Sequence, residues 1–499
     1  MSAARLRTKT GCLTCRKRRV KCSENRPHCR NCSTRRLPCV WPTARDLYDR
    51  RHHCLRSNSR TTISEKANPH AVDGLGRRDV EMLSSSLLLP AHLVTSTSTV
   101  FRCDLEYKLF HHFCDNFIST LLLPNSHPGF RRDYCTFLGG LSLQFETVRS
   151  GILACSAINL YMLTNDERLR SASLTYYAHA ILIVNKALEN FNSLIDKPSD
   201  DIVNAIIYLY IYSLWGLDAA EDASKHVMGA VHAVNLRYDR SQNAFSMSRA
   251  SDRVTAESVL YQSCLLAIRR PFLADFKVDD DLIMRVECTL QSLTFLDASA
   301  AANSPVLGVP LELYRLILSI IRLTSSRVPP NQVARSQLQG KISVWESTIC
   351  DFGDSTGNIP TERLQQDLSS LALVLYVLAA SLLLDLALTM MEQKQTSMAG
   401  LPRLGFRWQL QTALGILRCP ECNGQWTRCF LAPWPLQIFG YVVEEEKDIS
   451  LVRSTLHKTR EHTGYGEVTR LLGELAPIWR DRIERESPFP SFPVIPQEF

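Results

Sequence analysis

The sequence predicts a small metal-stabilised domain with two short helices, followed by a linker and a large all-α domain. Three observations carry that prediction: six cysteines in a repeated spacing near the start, positive charge gathered around them, and apolar residues at helical spacing through most of the remaining chain. The chain has 499 residues and is 45% apolar, enough for more than one folding unit.

From Met1 to Arg45 there are thirteen Lys or Arg and one acid, Glu24, a net charge of +12. The other residues hold 44 bases and 49 acids, a net −5. A basic block attached to a slightly acidic body is an electrostatic footprint for a polyanion. At this point nucleic acid and anionic membrane both qualify. The seventeen cysteines are an odd number, so they cannot all pair. The first residues contain no apolar stretch resembling a secretory signal. The thiols are therefore expected to stay reduced, and clustered Cys reads as metal binding before disulfide.

The cluster is GCLTCRKRRVKCSENRPHCRNCSTRRLPCVWP, with Cys12, Cys15, Cys22, Cys29, Cys32 and Cys39. Its spacing, C-x2-C-x6-C, occurs twice, so a pseudo-two-fold arrangement is expected. A structural zinc ion takes four tetrahedral ligands, and thiolate sulfur suits it. Each half supplies three sulfurs, one short of a closed site. Two ions need eight coordination positions, and six thiolates fill them if two bridge. A binuclear zinc cluster follows from that ligand count. A single four-Cys site would strand two cysteines. A cross-braced pair of sites needs eight ligands, and His28 does not make up the deficit. Iron–sulfur ligation leaves the basic run unexplained. So short a segment cannot bury enough apolar surface to fold alone, so metal binding must supply most of its folding free energy.

This segment, from Gly11 to Pro42, resembles the fungal zinc binuclear cluster (Zn2-C6 fungal-type) transcription factors. The resemblance includes Arg16-Lys17-Arg18-Arg19-Val20-Lys21 between the second and third cysteines, Pro27 in the connecting loop and Asn31 before the fifth. It implies that Cys12 and Cys29 bridge the two ions. It also implies that a short helix after Cys15 enters the major groove of double-stranded DNA and reads a CGG-type triplet in promoters of genes transcribed by RNA polymerase II. By family position Arg18 and Arg19 are expected at base edges, where relatives often carry Lys. Arg16 and Lys21 are expected on phosphates, and Lys17 is assigned to neither. Guanine O6 and N7 are both acceptors, which suits Arg and Lys. Alone, such a run reads equally well as a solvated face or a nuclear-import signal. Inside a six-Cys cluster, DNA reading prevails, and the nucleus is the expected compartment.

The linker is expected over residues 46–100, where Arg, Ser, Thr and His dominate and periodicity is weak. His52, His53 and Cys54 read as linker residues. Too few apolar residues lie between Asp46 and Ser86 for a leucine zipper, so a homodimer, if formed, lacks that usual device.

Residues 101–499 read as all-α. Helical spacing is seen over Glu106 to Leu123, Phe145 to Thr164, Glu167 to Asn192, Ser199 to Leu217, Asp222 to Arg237, Ala256 to Ala267, Leu311 to Ser326, Thr361 to Glu392 and Arg407 to Leu417. From Phe110 to about Arg482 the chain resembles the fungal-specific transcription factor regulatory domain, on HHFCDNF, RSGILACSAINLYML, Tyr176–Leu188, His226–Ala230, Glu257–Ala267 and Trp434-Pro435-Leu436. The resemblance implies that this region regulates activity, in some members in response to a small-molecule effector, and works with the transcription machinery. Target genes of a metabolic or biosynthetic pathway are the expectation.

Other candidates have plainer readings. Cys419, Cys422 and Cys429 repeat the half-motif spacing without a second half or a nearby His, and read as unpaired thiols in a loop. Asp279-Asp280-Asp281 reads as a solvated loop or helix cap, and Glu444 to Glu446 with Asp448 as a charged helix face. Leu368 to Leu384 is about as long as the shortest spanning helices, but Asp385 follows at once and no basic cluster flanks it, so it reads as a core helix and no membrane partner is expected. The sequence has no Walker A loop, H-E-x-x-H or G-x-S-x-G, and only a lone Gly74-x-Gly76. An enzyme is not expected.

Overall fold

The computed structural model describes residues 12–18, 20–25, 28–41, 100–189, 198–216, 220–237, 249–272, 276–325, 332–350, 364–365, 367–393 and 401–486. Contacts divide the chain into two units, Met1–Gly76 and Arg77–Phe499. The linker expected over residues 46–100 lies, apart from Val100, outside the described residues.

The first unit holds α1 (Leu13–Lys17) and α2 (Arg30–Ser33), each beginning just after the first cysteine of a half-motif. Its buried core consists of Cys12, Cys15, Cys29 and Cys32, with Cys22, Cys39 and Trp41 packed against them. Among the described residues no aliphatic cluster supports them.

The second unit is all helix among the described residues, with no strand. Its first elements are α3 (Asp104–His112), α4 (Pro128–Gln144), α5 (Glu146–Thr164), α6 (Glu167–Glu189) and α7 (Asp200–Trp215). They continue with α8 (Ala223–Arg237), α9 (Ala250–Ile268) and α10 (Asp280–Leu290). α5 and α7 form the centre of this group, and α4, α8 and α10 pack onto α9. Gly151 of α5 lets the two central helices close: a Cβ there would stand 2.8 Å from Cβ of Tyr208.

The remaining helices are α11 (Leu311–Ser325), α12 (Gln332–Cys350), α13 (Leu368–Glu392), α14 (Trp408–Arg418), α15 (Pro420–Trp426), α16 (Pro433–Val442), α17 (Glu446–Thr463) and α18 (Gly466–Glu486). α13 is their axis and touches α11, α12, α14, α15 and α16. Asp367 starts it by accepting hydrogen bonds from the backbone N–H groups of Ser369 (3.0 Å) and Ser370 (3.2 Å). This helix is long and apolar enough to cross a membrane, yet 83% of its most apolar stretch is buried among its neighbours, as a core helix requires. Its acid Asp385 is half-buried and accepts a hydrogen bond from Arg407 Nε at 3.0 Å.

Several expected helices shift at their ends. The one expected from Glu106 is α3 followed by a π-helical turn, Phe113–Phe117, and a last turn, Ile118–Leu121. α9 begins at Ala250, six residues before the expected start, and is buried along its length. α13 begins at Leu368 rather than Thr361, because the cap is Asp367. On α6, Tyr176, Ala180 and Val184 form a buried face, whereas Leu188 is exposed. Helices α4, α10, α12, α15, α16, α17 and α18 fall in segments for which periodicity predicted nothing.

One buried ion pair ties the second unit together. On α9, Arg253 Nε donates to Glu257 Oε1 at 2.5 Å. Glu257 Oε2 accepts from Ser304 Oγ (2.9 Å) and from the N–H groups of Val306 (3.0 Å) and Leu307 (3.2 Å). Arg253 Nη1 donates to the Ser292 carbonyl at 2.8 Å, so the α10–α11 connection is fastened to α9 from both ends. Burial raises the Glu257 carboxyl above its usual range in spite of the guanidinium and the backbone donors.

Candidate metal centre and nucleic-acid interface

Cys12 and Cys15 flank the first turn of α1, and Cys29 and Cys32 that of α2, so each pair of thiols turns to one side. The four are fully buried, and their sulfurs lie within 4.8 Å of one another. Sγ of Cys12 is 3.7 Å from Sγ of Cys29 and 3.7 Å from that of Cys32. Sγ of Cys15 is 3.6 Å from that of Cys29 and 3.9 Å from that of Cys32. Sulfurs around a tetrahedral zinc ion stand about 3.8 Å apart at a bond length of about 2.3 Å. A disulfide would bring them to about 2.05 Å. The spacing fits the metal and excludes the bond.

Protonation points the same way. Burial pushes the Cys12 and Cys15 thiols up, and that of Cys32 to about 12. Cys29, though burial opposes it, is held down to about 6 by the Cys32 N–H and the surrounding thiols. Four thiolates at neutral pH therefore need a cation among them.

The expected pseudo-two-fold is present in the contacts. Sγ of Cys12 accepts from the N–H of Cys15 at 3.4 Å, as Sγ of Cys29 does from Cys32 at 3.4 Å. The N–H of Cys12 donates to Sγ of Cys22 at 3.4 Å, and the N–H of Cys29 donates to Sγ of Cys39 at 3.3 Å. The third cysteine of each half thus lies beside the first cysteine of the same half. Cross-links join the halves: Leu13 N–H to Val40 O (2.7 Å), Thr14 Oγ1 to Pro38 O (2.6 Å), Asn31 Nδ2 to Lys21 O (2.5 Å) and Arg30 N–H to Ser23 Oγ (2.8 Å). Spacing alone did not point to Thr14, and its contact spans 24 residues.

The basic run starts within α1. Lys17 and Lys21 are exposed. Arg18 is half-buried, and its Nη1 is enclosed without a hydrogen-bond partner among the described residues. Arg19 and the side chain of Arg16 lie outside the described residues. α1 carries no acid in its first turn.

Cys419, Cys422 and Cys429 do not form a second centre. Among the described residues, Cys12, Cys15, Cys29 and Cys32 are the only grouped metal-ligating side chains. Nor do the three sit in a loop as expected: Cys419 caps α15, Cys422 is buried inside it, and Cys429 is buried just beyond. Asp279 is a helix cap, its Oδ1 accepting from the N–H groups of Asp281 (2.8 Å) and Leu282 (3.3 Å). Asp448 departs from the expected charged face, being buried on α17 and paired with Arg418 at 2.6 Å.

Residues 10–48 match the fungal Zn(2)-Cys(6) binuclear cluster domain, and residues 108–489 match the fungal specific transcription factor domain. Among curated proteins, the chain is 28% identical over 165 residues to the Zn(2)-C6 fungal-type transcription factor afumD of Aspergillus fumigatus, covering 33% of this chain and 35% of that one. It is 36% identical over 93 residues to the transcription factor lfc1 of Flammulina velutipes, covering 17% and 32%. It is 53% identical over 38 residues to the aspercryptin biosynthesis cluster-specific transcription regulator atnN of Emericella nidulans, covering 8% and 6%. The matches thus span about a third or less of these relatives' length. The thiol geometry fits zinc, and both matched domains are those of transcription regulators rather than enzymes. The chain therefore belongs to the fungal-specific transcription factors, DNA-binding regulators of the zinc binuclear cluster type.

Proposed function

We propose that this protein is a nuclear, sequence-specific regulator of RNA polymerase II transcription that reads a CGG-type triplet. Its six cysteines would hold two zinc ions. Zinc supplies charge neutralisation and a rigid joint between the halves. The residues then do the reading. Arg18 and Arg19 face guanine edges, Arg16 and Lys21 hold phosphates, and Lys17 adds to the field around the groove.

The observation that carries this reading is a cation-rich α1 end built directly on a thiol cluster of zinc dimensions. Titrating the full chain against duplexes with CGG and with scrambled triplets tests it. Preference for CGG that chelation abolishes is expected, and equal affinity for both duplexes would overturn it.

The helical unit, residues 101–499, is proposed as the regulatory domain that conveys the output to the transcription machinery. A cleft of about 580 Å³ between the α10–α11 connection and the start of α13, lined by Leu290, Leu307, Pro310 and Leu373 with Glu287 and Asp367, suits a small-molecule effector. Genes of a metabolic or biosynthetic pathway are the proposed targets, in keeping with the name of the aspercryptin relative. Mapping of bound sites across the genome reads the triplet, the genes and the repeat spacing that a homodimer would impose.

A further inference from the structure

The two half-motifs align residue for residue, Cys12–Cys22 on Cys29–Cys39, with a constant offset. The alignment sets Arg35 opposite Arg18, Arg36 opposite Arg19 and Leu37 opposite Val20. The arginine pair is therefore duplicated along with the cysteines. One backbone hydrogen bond beside the pair is repeated in the structure: the N–H of Val20 donates to the Cys15 carbonyl at 3.1 Å, and the N–H of Leu37 to the Cys32 carbonyl at 3.0 Å. We propose that Arg35 and Arg36 form a second DNA contact, a phosphate clamp on the pseudo-symmetric face of the cluster, which rests on the DNA-binding reading above.

Three features favour this assignment. Arg35 and Arg36 are both exposed, and among the described residues neither guanidinium has an ion pair or hydrogen bond. No acid lies between Cys29 and Cys39, and Arg30 adds a third exposed cation. Arg36 also holds a left-handed backbone, φ 49°. An L side chain there costs about 1 kcal/mol that glycine would avoid. The residue present is thus an arginine where the local backbone favours glycine. What that position gains is charge directed to solvent.

The chemistry selects phosphate rather than base. The second half lacks the rest of the reading set: Ser33, Thr34 and Pro38 stand opposite Arg16, Lys17 and Lys21. Two adjacent guanidinium groups, with Arg30 in the same half and no acid among them, suit phosphodiester oxygens, which carry charge and no sequence information.

The test uses the full chain, with binding measured against salt concentration on a CGG duplex and on a scrambled one. Arg35→Gln with Arg36→Gln should weaken both duplexes by the same factor, roughly tenfold, and lower the slope of log affinity against log salt by about 1 to 2. Arg36→Gly relieves the backbone strain and removes one charge. It should keep the zinc content and still lose affinity, roughly threefold on both duplexes. An unchanged salt slope in the double variant, wild-type affinity in Arg36→Gly, or a loss confined to the CGG duplex would each overturn the clamp. If the unaltered chain bound no duplex at all, the DNA-binding reading itself would fail, a result distinct from these.

Discussion

The two units of this molecule build a core by opposite means. The core of the first is four cysteines, whose burial makes sense only with metal among them. The core of the second is a continuous apolar mass running from Leu109 to Trp479, in which α13 is buried along most of its 25 residues. A unit too small for hydrophobic burial is organised by ligand count, and a large one by packing. The first should accordingly fail when its chemistry is removed, and the second when its shape is.

Metal removal separates them most sharply. Chelation of the full chain should release two zinc ions, abolish DNA binding and leave the melting of the helical unit in place. The cluster would lose on the order of 10 kcal/mol. Zinc counting with circular dichroism reads both effects, and three ions per chain would revive a site at Cys419, Cys422 and Cys429. The sign of the pH dependence follows from the thiols. Protons held by Cys12, Cys15 and Cys32, all raised by burial, compete with the metal. Zinc affinity should therefore fall as pH falls, and metal uptake should release protons.

A charge removed from the second unit comes next. Glu257→Ala leaves the Arg253 guanidinium, 3% exposed, without its carboxylate and frees the N–H groups of Val306 and Leu307. Denaturant melts should show a loss of about 3–5 kcal/mol, with zinc content and DNA binding by the first unit intact.

A change of shape alone should cost roughly 3 kcal/mol. At Gly466 an added Cβ would stand 2.0 Å from the Trp215 carbonyl oxygen, a backbone atom that cannot step aside. Gly466→Ala should lower the melting temperature of the helical unit. A wild-type melt would show that the α7–α18 approach is looser than described.

The smallest effect is the most specific. Arg19→Ala should cost about 1–3 kcal/mol on the CGG duplex and little on a scrambled one, whereas Lys21→Ala should weaken both alike. Competition binding on the two duplexes distinguishes them, and equal losses for Arg19→Ala would defeat its role at base edges.

Legibility divided along the same line. Helices with apolar periodicity, such as α5, α7 and α11, were visible in the chain. α4, α15 and α16 were not, because each opens with a proline that reads as a breaker but sits at the first turn, where its missing N–H is no loss. α18 carries Pro477 in its interior and was hidden for a similar reason. Asp448 looked like part of a solvated charge run, since its partner Arg418 lies 30 residues away. The Arg253–Glu257 pair, four residues apart on a helix, carries no local sign of burial, because the α10–α11 connection that covers it comes later in the chain.

What the chain determined by itself is the chemistry of its first forty-odd residues: which sulfurs group, that their number calls for two ions, and where the positive charge lies. Ligand spacing is local and obeys fixed coordination rules, so it survives without a fold. Only the tertiary structure decided that the apolar helix after Asp367 is a core axis, that the Glu257 carboxylate of α9 is sealed from solvent, and that Arg35 and Arg36 stand exposed. Those depend on which surfaces meet, and packing partners far apart in sequence leave no local mark.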